Sequence, residues 1–318
     1  MSGPAIPQVS VIVPTLDRPV ELGHALASVV GQQGIDRGEL EVIVVNDGGA
    51  PIEAVIAEAR DHRLTVTSVT HPRQLGLPSA RNTGLDRACG RYVAFLDDDD
   101  VFLPRHLATA LAGLDSTRAD GVVMTCLVTD HRVDPALPVR EAVVWDVGFD
   151  PLLLEACNLF PVHTAVVRRP ATARLDPALP AIEDWDFWLR LTREHGYRVT
   201  RLREPTVVYH RVPQVTSMIG AVAGDAPAMA EFSVLVRRIW SRWPATTARS
   251  ARFRLYSGIM YWQVLGHLAT GTQPNPHYYL RSLEAIEHAW RDPSAEPDLI
   301  DRLTQTVRGD DADDQHVA

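Results

Sequence analysis

Short aliphatic runs alternating with stretches of helical periodicity constrain this chain more than any other feature. Val9–Val13 (VSVIV) is an apolar, β-branched run of the kind that forms a strand buried on both faces. Asp17-Arg18-Pro19 then supplies a cap and an early proline for a helix to about Val30. The pattern repeats in Leu40–Val45 (LEVIVV), a second buried strand. Pro51–Arg60 follows as a helix with Ile52, Val55 and Ile56 on one face, and Leu64–Val69 as an alternating strand. Such βαβαβ alternation predicts a right-handed, doubly wound sheet.

Past the third strand, Pro78–Ala88 reads as a helix that stops at Gly90. RYVAFL is a fourth strand running into Asp97–Asp100, and Pro104–Leu114 a further helix. GVVMTCLV is a fifth strand. Beyond Asp130 the periodicity weakens through a proline-containing stretch to Val162–Val167. A helix over WDFWLRLTREHG and two short strands, YRVTRL and TVVYHR, come next, and from about Val215 the pattern is helical. The expected organisation is a first domain over 1–214, a helical region over 215–308 and a disordered acidic tail over 309–318.

Composition removes several classes of chemistry. With 318 residues, 46% of them apolar, the chain can bury one large core or two. All 31 basic side chains are Arg; without a Lys, Walker-type phosphate loops and Schiff-base catalysis are excluded. A formal charge of −9 with scattered arginines offers no basic stripe for nucleic acid. Cys89, Cys126 and Cys157 form no CxxC pair, which argues against a disulfide scaffold or a structural zinc site. The N-terminus lacks the basic start of a signal peptide, and no run approaches the ~18 apolar residues that span a bilayer. The expectation is a cytoplasmic protein without a transmembrane segment. Tyr256–Leu268 (YSGIMYWQVLGHL) is then a buried helix, an acceptor-site lid or a dimer contact, and self-association through the C-terminal helices is testable.

In an open α/β sheet, ligands bind beyond the carboxyl ends of the strands. Those ends carry Pro14-Thr15, Asn46-Asp47-Gly48-Gly49 and Asp97–Asp100. Four adjacent carboxylates repel one another unless protonated, turned to solvent or neutralised by a cation, for which Mg²⁺ or Mn²⁺ is the natural choice. The alternative is a solvated turn capping the helix near Pro104. Asp47 is also compatible with a simple Asp-Gly turn, and Thr15 and Asp17 with a loop polar residue and an N-cap. Glu183, Asp184 and Asp186 in IEDWDFWLR open a helix, where the dipole alone favours carboxylates. Ile182, Trp185 and Trp188 beside them would form an apolar rim able to raise a carboxylate pKa towards that of a general base. His210, at the end of TVVY, is either structural or completes an oxygen-rich metal site.

Taken in order, VSVIVPTLDRP, VIVVNDGG, LGLPSARNTGLDRACGRYVAFLDDDD and IEDWDFWLRL, over about residues 8–212, resemble family 2 glycosyltransferases with the GT-A fold. The resemblance implies an α/β fold with a Rossmann-like, mostly parallel sheet and flanking helices, followed by a helical C-terminal region. It implies a nucleotide-binding half at about 8–130 and an acceptor half at about 131–214. The implied activity is an inverting transfer from a nucleoside-diphosphate sugar, UDP- or dTDP-linked being favoured, to a hydroxyl of a small-molecule or glycan acceptor. Processive relatives carry QxxRW, and only RRIWSRW at Arg237–Trp243 is similar here, so a single transfer is expected. Position by position, Pro14, Thr15 and Asp47 match the nucleobase site, Arg81 a residue near the nucleotide, and Asp97–Asp99 the DxD motif. Within it Asp99 matches the Mn²⁺ or Mg²⁺ ligand, with Asp97 or Asp98 on the ribose or a metal-bound water. Asp17 and Arg18 belong to the first donor loop, where many relatives have Asn at the position of Asp17. Glu183 and Asp184 match the ED pair, with Asp184 as catalytic base, and His210 a position facing the metal or diphosphate. A non-catalytic nucleotide-sugar-binding scaffold is the alternative from another class; a nucleotidyltransferase is disfavoured because PTLDRPVEL is not a Gly-rich basic loop.

Overall fold

The computed structural model describes residues 6–62, 64–211 and 225–310. Contacts divide the chain into two units, the first comprising the described residues up to Val144 together with Pro161–His210. Trp145–Phe160 belongs with the described residues from Arg211 onward in the second.

All seven residues of β1 (Val9–Thr15) are buried, as its uninterrupted apolar pattern requires. It pairs in parallel with β2 (Leu40–Asn46), from Val9↔Leu40 to Thr15↔Asn46, and on its other side with β4 (Tyr92–Phe95). β3 (Thr65–Thr70) extends the parallel array beyond β2. The helices α1 (Pro19–Val30), α2 (Glu53–Asp61) and α3 (Leu77–Arg87) make the crossovers. Chain order reverses between β1 and β4, which puts the switch point at the carboxyl end of β1. Beyond β4 the sheet is mixed. The strand β8 (Ala165–Arg168) lies antiparallel between β4 and β6 (Gly121–Thr129). β9 (Val199–His210) returns parallel to β6, and β5 (Val101–Phe102) closes that edge antiparallel to β9. A short β7 (Val143–Trp145) also pairs with β6, while α4 (His106–Thr117) and α5 (Glu183–Arg193) complete the unit.

Three local expectations need correction. The two strands expected at YRVTRL and TVVYHR are one twelve-residue strand. Its register against β6 slips between Met124↔Leu202 and Thr125↔Pro205, so Arg203 and Glu204 bulge out and Pro205, which has no N–H to give, sits where the ladder is already broken. Asp17 is not a helix cap: it has φ +55°, and its Oδ1 accepts from the Ala50 N–H at 2.7 Å, 33 residues away. The strand expected from Val162 begins at Ala165, after a single 3₁₀ turn at Val162–Thr164.

The second unit contains α6 (Ala226–Arg242), α7 (Ala248–Ala269), α8 (Tyr278–Arg291) and α9 (Leu299–Arg308). Asp225 and Thr247 cap α6 and α7 by accepting from Ala228 and Ser250. The segment Trp145–Phe160 is held among these helices by side chains that satisfy its carbonyls: Trp240 Nε1 donates to Ala156 O at 3.1 Å and Arg254 Nε to Glu155 O at 2.9 Å. Tyr256–Leu268 lies inside α7 with one side buried. No helix among the described residues is long and apolar enough to cross a membrane. Residues 215–224, where helix was expected to begin, and most of the acidic tail lie outside the described residues.

Candidate active site

Parallel register brings the strand ends together. The Asp47 N–H donates to Thr15 O at 2.9 Å and the Leu96 N–H to Ile12 O at 3.0 Å, so the residues following β1, β2 and β4 open onto one place. Pro14 and Thr15 close β1 there, both buried. Thr15 Oγ1 donates to Asp98 Oδ2 at 2.7 Å, tying the end of β1 to the acidic cluster. Arg18, just past β1, donates to Asp98 Oδ1 at 3.3 Å and to Asp99 Oδ2 at 2.8 Å. Burial nevertheless dominates at Asp98 and pushes its carboxyl up to about 6, against the Thr15 hydrogen bond and the Arg18 charge. Asp99 is raised for the same first reason, with Asp97 adding repulsion.

Asp47 is a clamp rather than a bare turn residue. Its Oδ1 accepts from the Leu75 N–H at 2.9 Å and faces His71 Nδ1 at 2.7 Å, while Oδ2 accepts from the Gly76 N–H at 2.8 Å. His71 Nε2 in turn meets Thr83 Oγ1 on α3 at 2.9 Å. Gly48, with φ +84°, is needed here, because a Cβ at that position would run into the backbone of Arg73 and Gln74. The 71–76 loop is thereby pinned to the end of β2.

Arg81 joins the two acidic groups of the sequence. It reaches from α3 into the site with its side chain 3% exposed, donating to Asp97 Oδ1 at 2.5 Å and through its other terminal nitrogen to Glu183 Oε1. Desolvation acts against the Arg81 charge, yet the attraction of Asp97 and Glu183 outweighs it and leaves the guanidinium pKa raised. Glu183, 2% exposed, is pushed upward by burial against the pull of Arg81. Asp184 is half-buried, with Oδ1 accepting from the Trp185 N–H at 2.8 Å. Ile182 adopts φ +56° at the start of α5, which turns the chain into the helix at this pair.

The fourth aspartate is the most enclosed. Asp100 Oδ1 accepts from the His210 N–H at 2.8 Å, and Oδ2 faces His163 Nδ1 at 3.0 Å. These last two atoms are buried and close, but lack hydrogen-bond alignment. Burial pushes the Asp100 carboxyl up, with the His163 charge opposing it, and the same partner raises His163 despite its own desolvation. Asp97, Asp100 and His163 each offer a donor atom within 4.8 Å of the others. Two carboxylate oxygens and an imidazole are a suitable donor set for Mg²⁺ or Mn²⁺, and the two misaligned buried atoms are the groups such an ion would satisfy. This grouping differs from the expected one. The Asp99 carboxylate is engaged by Arg18, and both His210 nitrogens are in use, Nδ1 on Asp99 O at 2.7 Å and Nε2 accepting from the Val133 N–H at 3.2 Å.

The family model for glycosyl transferase family 2 matches residues 10–175, a span that contains the strand ends, Arg81, the aspartate cluster and His163. The chain belongs to glycosyl transferase family 2. An uncharacterized glycosyltransferase of Haemophilus influenzae is 25% identical over 203 residues, covering 62% of this chain and 66% of its own. The GalNAc(5)-diNAcBac-PP-undecaprenol β-1,3-glucosyltransferase of Campylobacter jejuni is 37% identical over 109 residues, 33% of this chain and 34% of its own. The match thus spans just under two thirds of the first relative and about a third of the second. Among solved structures, the mannosyltransferase PcManGT from Pyrobaculum calidifontis, in complex with GDP-Man and Mn²⁺, superposes with a TM-score of 0.57 at 18% identity, covering 96% of this chain and 89% of that one. Staphylococcus aureus TarS 1–349 in complex with UDP-GlcNAc gives 0.54 at 16%, covering 94% and 90%. These likenesses bear on the fold, which is GT-A.

Within this family 2 chain, Thr15, Arg18, Asp98 and Asp99 form one hydrogen-bonded group and Arg81, Asp97 and Glu183 a second, the two meeting at the adjacent residues Asp97 and Asp98. Asp47 anchors a separate one, and Asp17 bonds outward to Ala50. His71, Thr83, Asp100 in its own right and His163 were not singled out from the sequence. His71 directly follows β3, so the strand-end rule that selects Asp47 could have found it. His163 lies in the 3₁₀ turn ahead of β8, within a run whose apolar residues read only as a strand, and carries no such signal.

Proposed function

We propose that the protein is an inverting, divalent-metal-dependent glycosyltransferase that moves one sugar from a nucleoside-diphosphate donor to an acceptor hydroxyl. The observation that carries this reading is Arg81, which ties Asp97 of the strand-end cluster to Glu183 of the ED pair. That linkage puts a charged donor-side cluster and a carboxylate base candidate at one place, as a displacement at a sugar carbon requires.

Asp184 takes the proton of the acceptor hydroxyl as its oxygen attacks the anomeric carbon in line. Its bond to the Trp185 N–H steadies the carboxylate, and Glu183, held by Arg81, fixes the start of α5 beneath it. Pro14, Thr15 and Asp47 line the nucleobase side, with Asp17 and Arg18 in the loop beyond β1. Asp97 and Asp98 face the ribose side. Asp97, Asp100 and His163 would hold the cation, with Asp99 beside them and His210 behind as a support; when bound, it offsets charge on the departing diphosphate. The acceptor half lies over 131–214, and UDP- or dTDP-sugars are the favoured donors.

Calorimetric titration of UDP, dTDP, GDP and CDP, with and without Mn²⁺, tests the donor side on the wild type and on Asp97→Ala. Metal-dependent binding of one nucleotide, lost in the variant, is expected. A folded protein that binds none of them overturns the proposal in favour of a non-catalytic scaffold. Asp184→Asn should lower turnover by ~10²–10⁴-fold with donor affinity intact; an unchanged rate removes Asp184 as the base.

A further inference from the structure

Two kinds of group hold the Asp47 carboxylate. The Leu75 and Gly76 N–H groups come from the 71–76 loop, in which Pro72, Arg73, Gln74 and Leu75 are exposed. The His71 ring comes from the sheet. Its own N–H donates to Asn46 O at 2.9 Å, which carries the β2–β3 ladder past its last pair, Asn46↔Thr70, and the residue is buried. Exposed loops are the more mobile parts of a fold, so donors on the loop hold Asp47 only as firmly as the loop itself is held. The imidazole is fixed at its root by the ladder.

A second brace stands behind the ring. A threonine inside a helix commonly turns its hydroxyl to the carbonyl four residues back. Thr83, in the interior of α3, instead meets His71 Nε2 at 2.9 Å. Since an ionised carboxylate can only accept, Nδ1 carries the proton that reaches Asp47 Oδ1 at 2.7 Å. Both ring nitrogens are thus engaged inside the protein, and the chain from Asp47 through His71 to Thr83 joins the end of β2 to α3 without an exposed member.

We infer that His71 is a positioning residue for donor binding: braced by Thr83, it fixes the direction in which the Asp47 carboxylate faces the nucleobase. The inference rests on the assignment of Asp47 to the nucleobase side. His71 acts through Asp47 and not on the nucleotide, so its effect is confined to the base end of the donor and spares the diphosphate and cation end. A carboxylate released from this brace has to be ordered when the nucleotide binds, which lowers affinity by up to about tenfold.

Calorimetric titration separates the two ends. The probes are whichever of UDP, dTDP, GDP and CDP the wild type binds in Mn²⁺, and inorganic pyrophosphate in Mn²⁺, which presents the diphosphate without a base. His71→Leu keeps bulk but no donor, and should weaken the nucleotide about tenfold while pyrophosphate binds as before. His71→Asn places its Nδ2 where Nδ1 stood and should recover most of the loss. Where His71→Leu unsettles the fold, Thr83→Val carries the same test through the brace, with a smaller loss that is again confined to the nucleotide and is restored in Thr83→Ser. Nucleotide affinity unchanged in both His71→Leu and Thr83→Val, or nucleotide and pyrophosphate weakened alike, overturns the inference while Asp47 keeps its place. Asp47→Ala without effect on a nucleotide that the wild type binds removes the nucleobase assignment instead, and a wild type that binds no nucleotide removes the donor-binding reading on which both stand.

Discussion

His106 shows how burial alone can write a pH dependence into the fold. Its ring is fully buried, stacks on Phe102 with centroids 3.9 Å apart, and meets Thr206 Oγ1 through Nδ1 at 3.0 Å. Desolvation, helped by repulsion from His163, holds its pKa down at about 3. In the unfolded chain the same ring titrates near ~6.5. The contribution of His106 is thus complete above that value and falls as pH drops from ~6.5 towards 3, because only the unfolded state takes up the proton. The limiting slope is ~1.4 kcal/mol per pH unit. His106→Phe should flatten the stability–pH curve between pH 6 and 4 in urea titrations, whatever it costs at neutral pH. Arg81 is the opposite case. Arg81→Met leaves the buried Glu183, with the part-exposed Asp97 beside it, without a counter-charge and should destabilise the protein by ~3–5 kcal/mol. Since Glu183 is already pushed towards its neutral form, part of that loss should return on acidification, when the folded state can take up the proton. The importance of both acidic motifs is visible in their composition, and the resemblance singles out Arg81 as a residue near the nucleotide; its bridging of the two motifs is not legible, because nothing in local spacing joins residues 102 apart.

At the level of elements, α3 on β1 is decided by one missing side chain. Gly84 lies in the middle of α3, where Ala would normally improve a helix by ~1 kcal/mol. A Cβ there would collide with the Ile12 side chain on β1. Overpacking of this kind costs ~1–3 kcal/mol, so Gly84→Ala should be net destabilising, and a denaturation midpoint that rises would show that Ile12 can give way. The parallel core, β1 through β4 with its crossover helices, was legible from periodicity because buried strands and amphipathic helices impose different repeats. The mixed half was harder to read. Pro205 looks like a strand terminator, and only the bulge at Arg203-Glu204 lets β9 run through it. The two-residue β5 is too short for any alternation to register.

On the scale of the whole molecule, ligand binding should be measurable as stability. A nucleotide at a hundredfold excess over its Kd stabilises the folded state by ~2.7 kcal/mol. If Asp97, Asp100 and His163 hold a cation that the diphosphate shares, this gain should appear in thermal melts with Mn²⁺ and vanish with EDTA, without loss of the apo fold. If Asp47 meets the nucleobase as proposed, its clamp bears on which nucleotide is taken. A carboxylate has about four lone-pair sites, and three donors already occupy both oxygens of Asp47, two on Oδ1 and one on Oδ2. What is left is a single acceptor in a fixed direction. A uracil, thymine or guanine ring, each with an imide-type N–H, can satisfy it; the lone pair on the ring N3 of cytosine would be repelled. Discrimination among bases would then be set by the loop that holds Asp47 still.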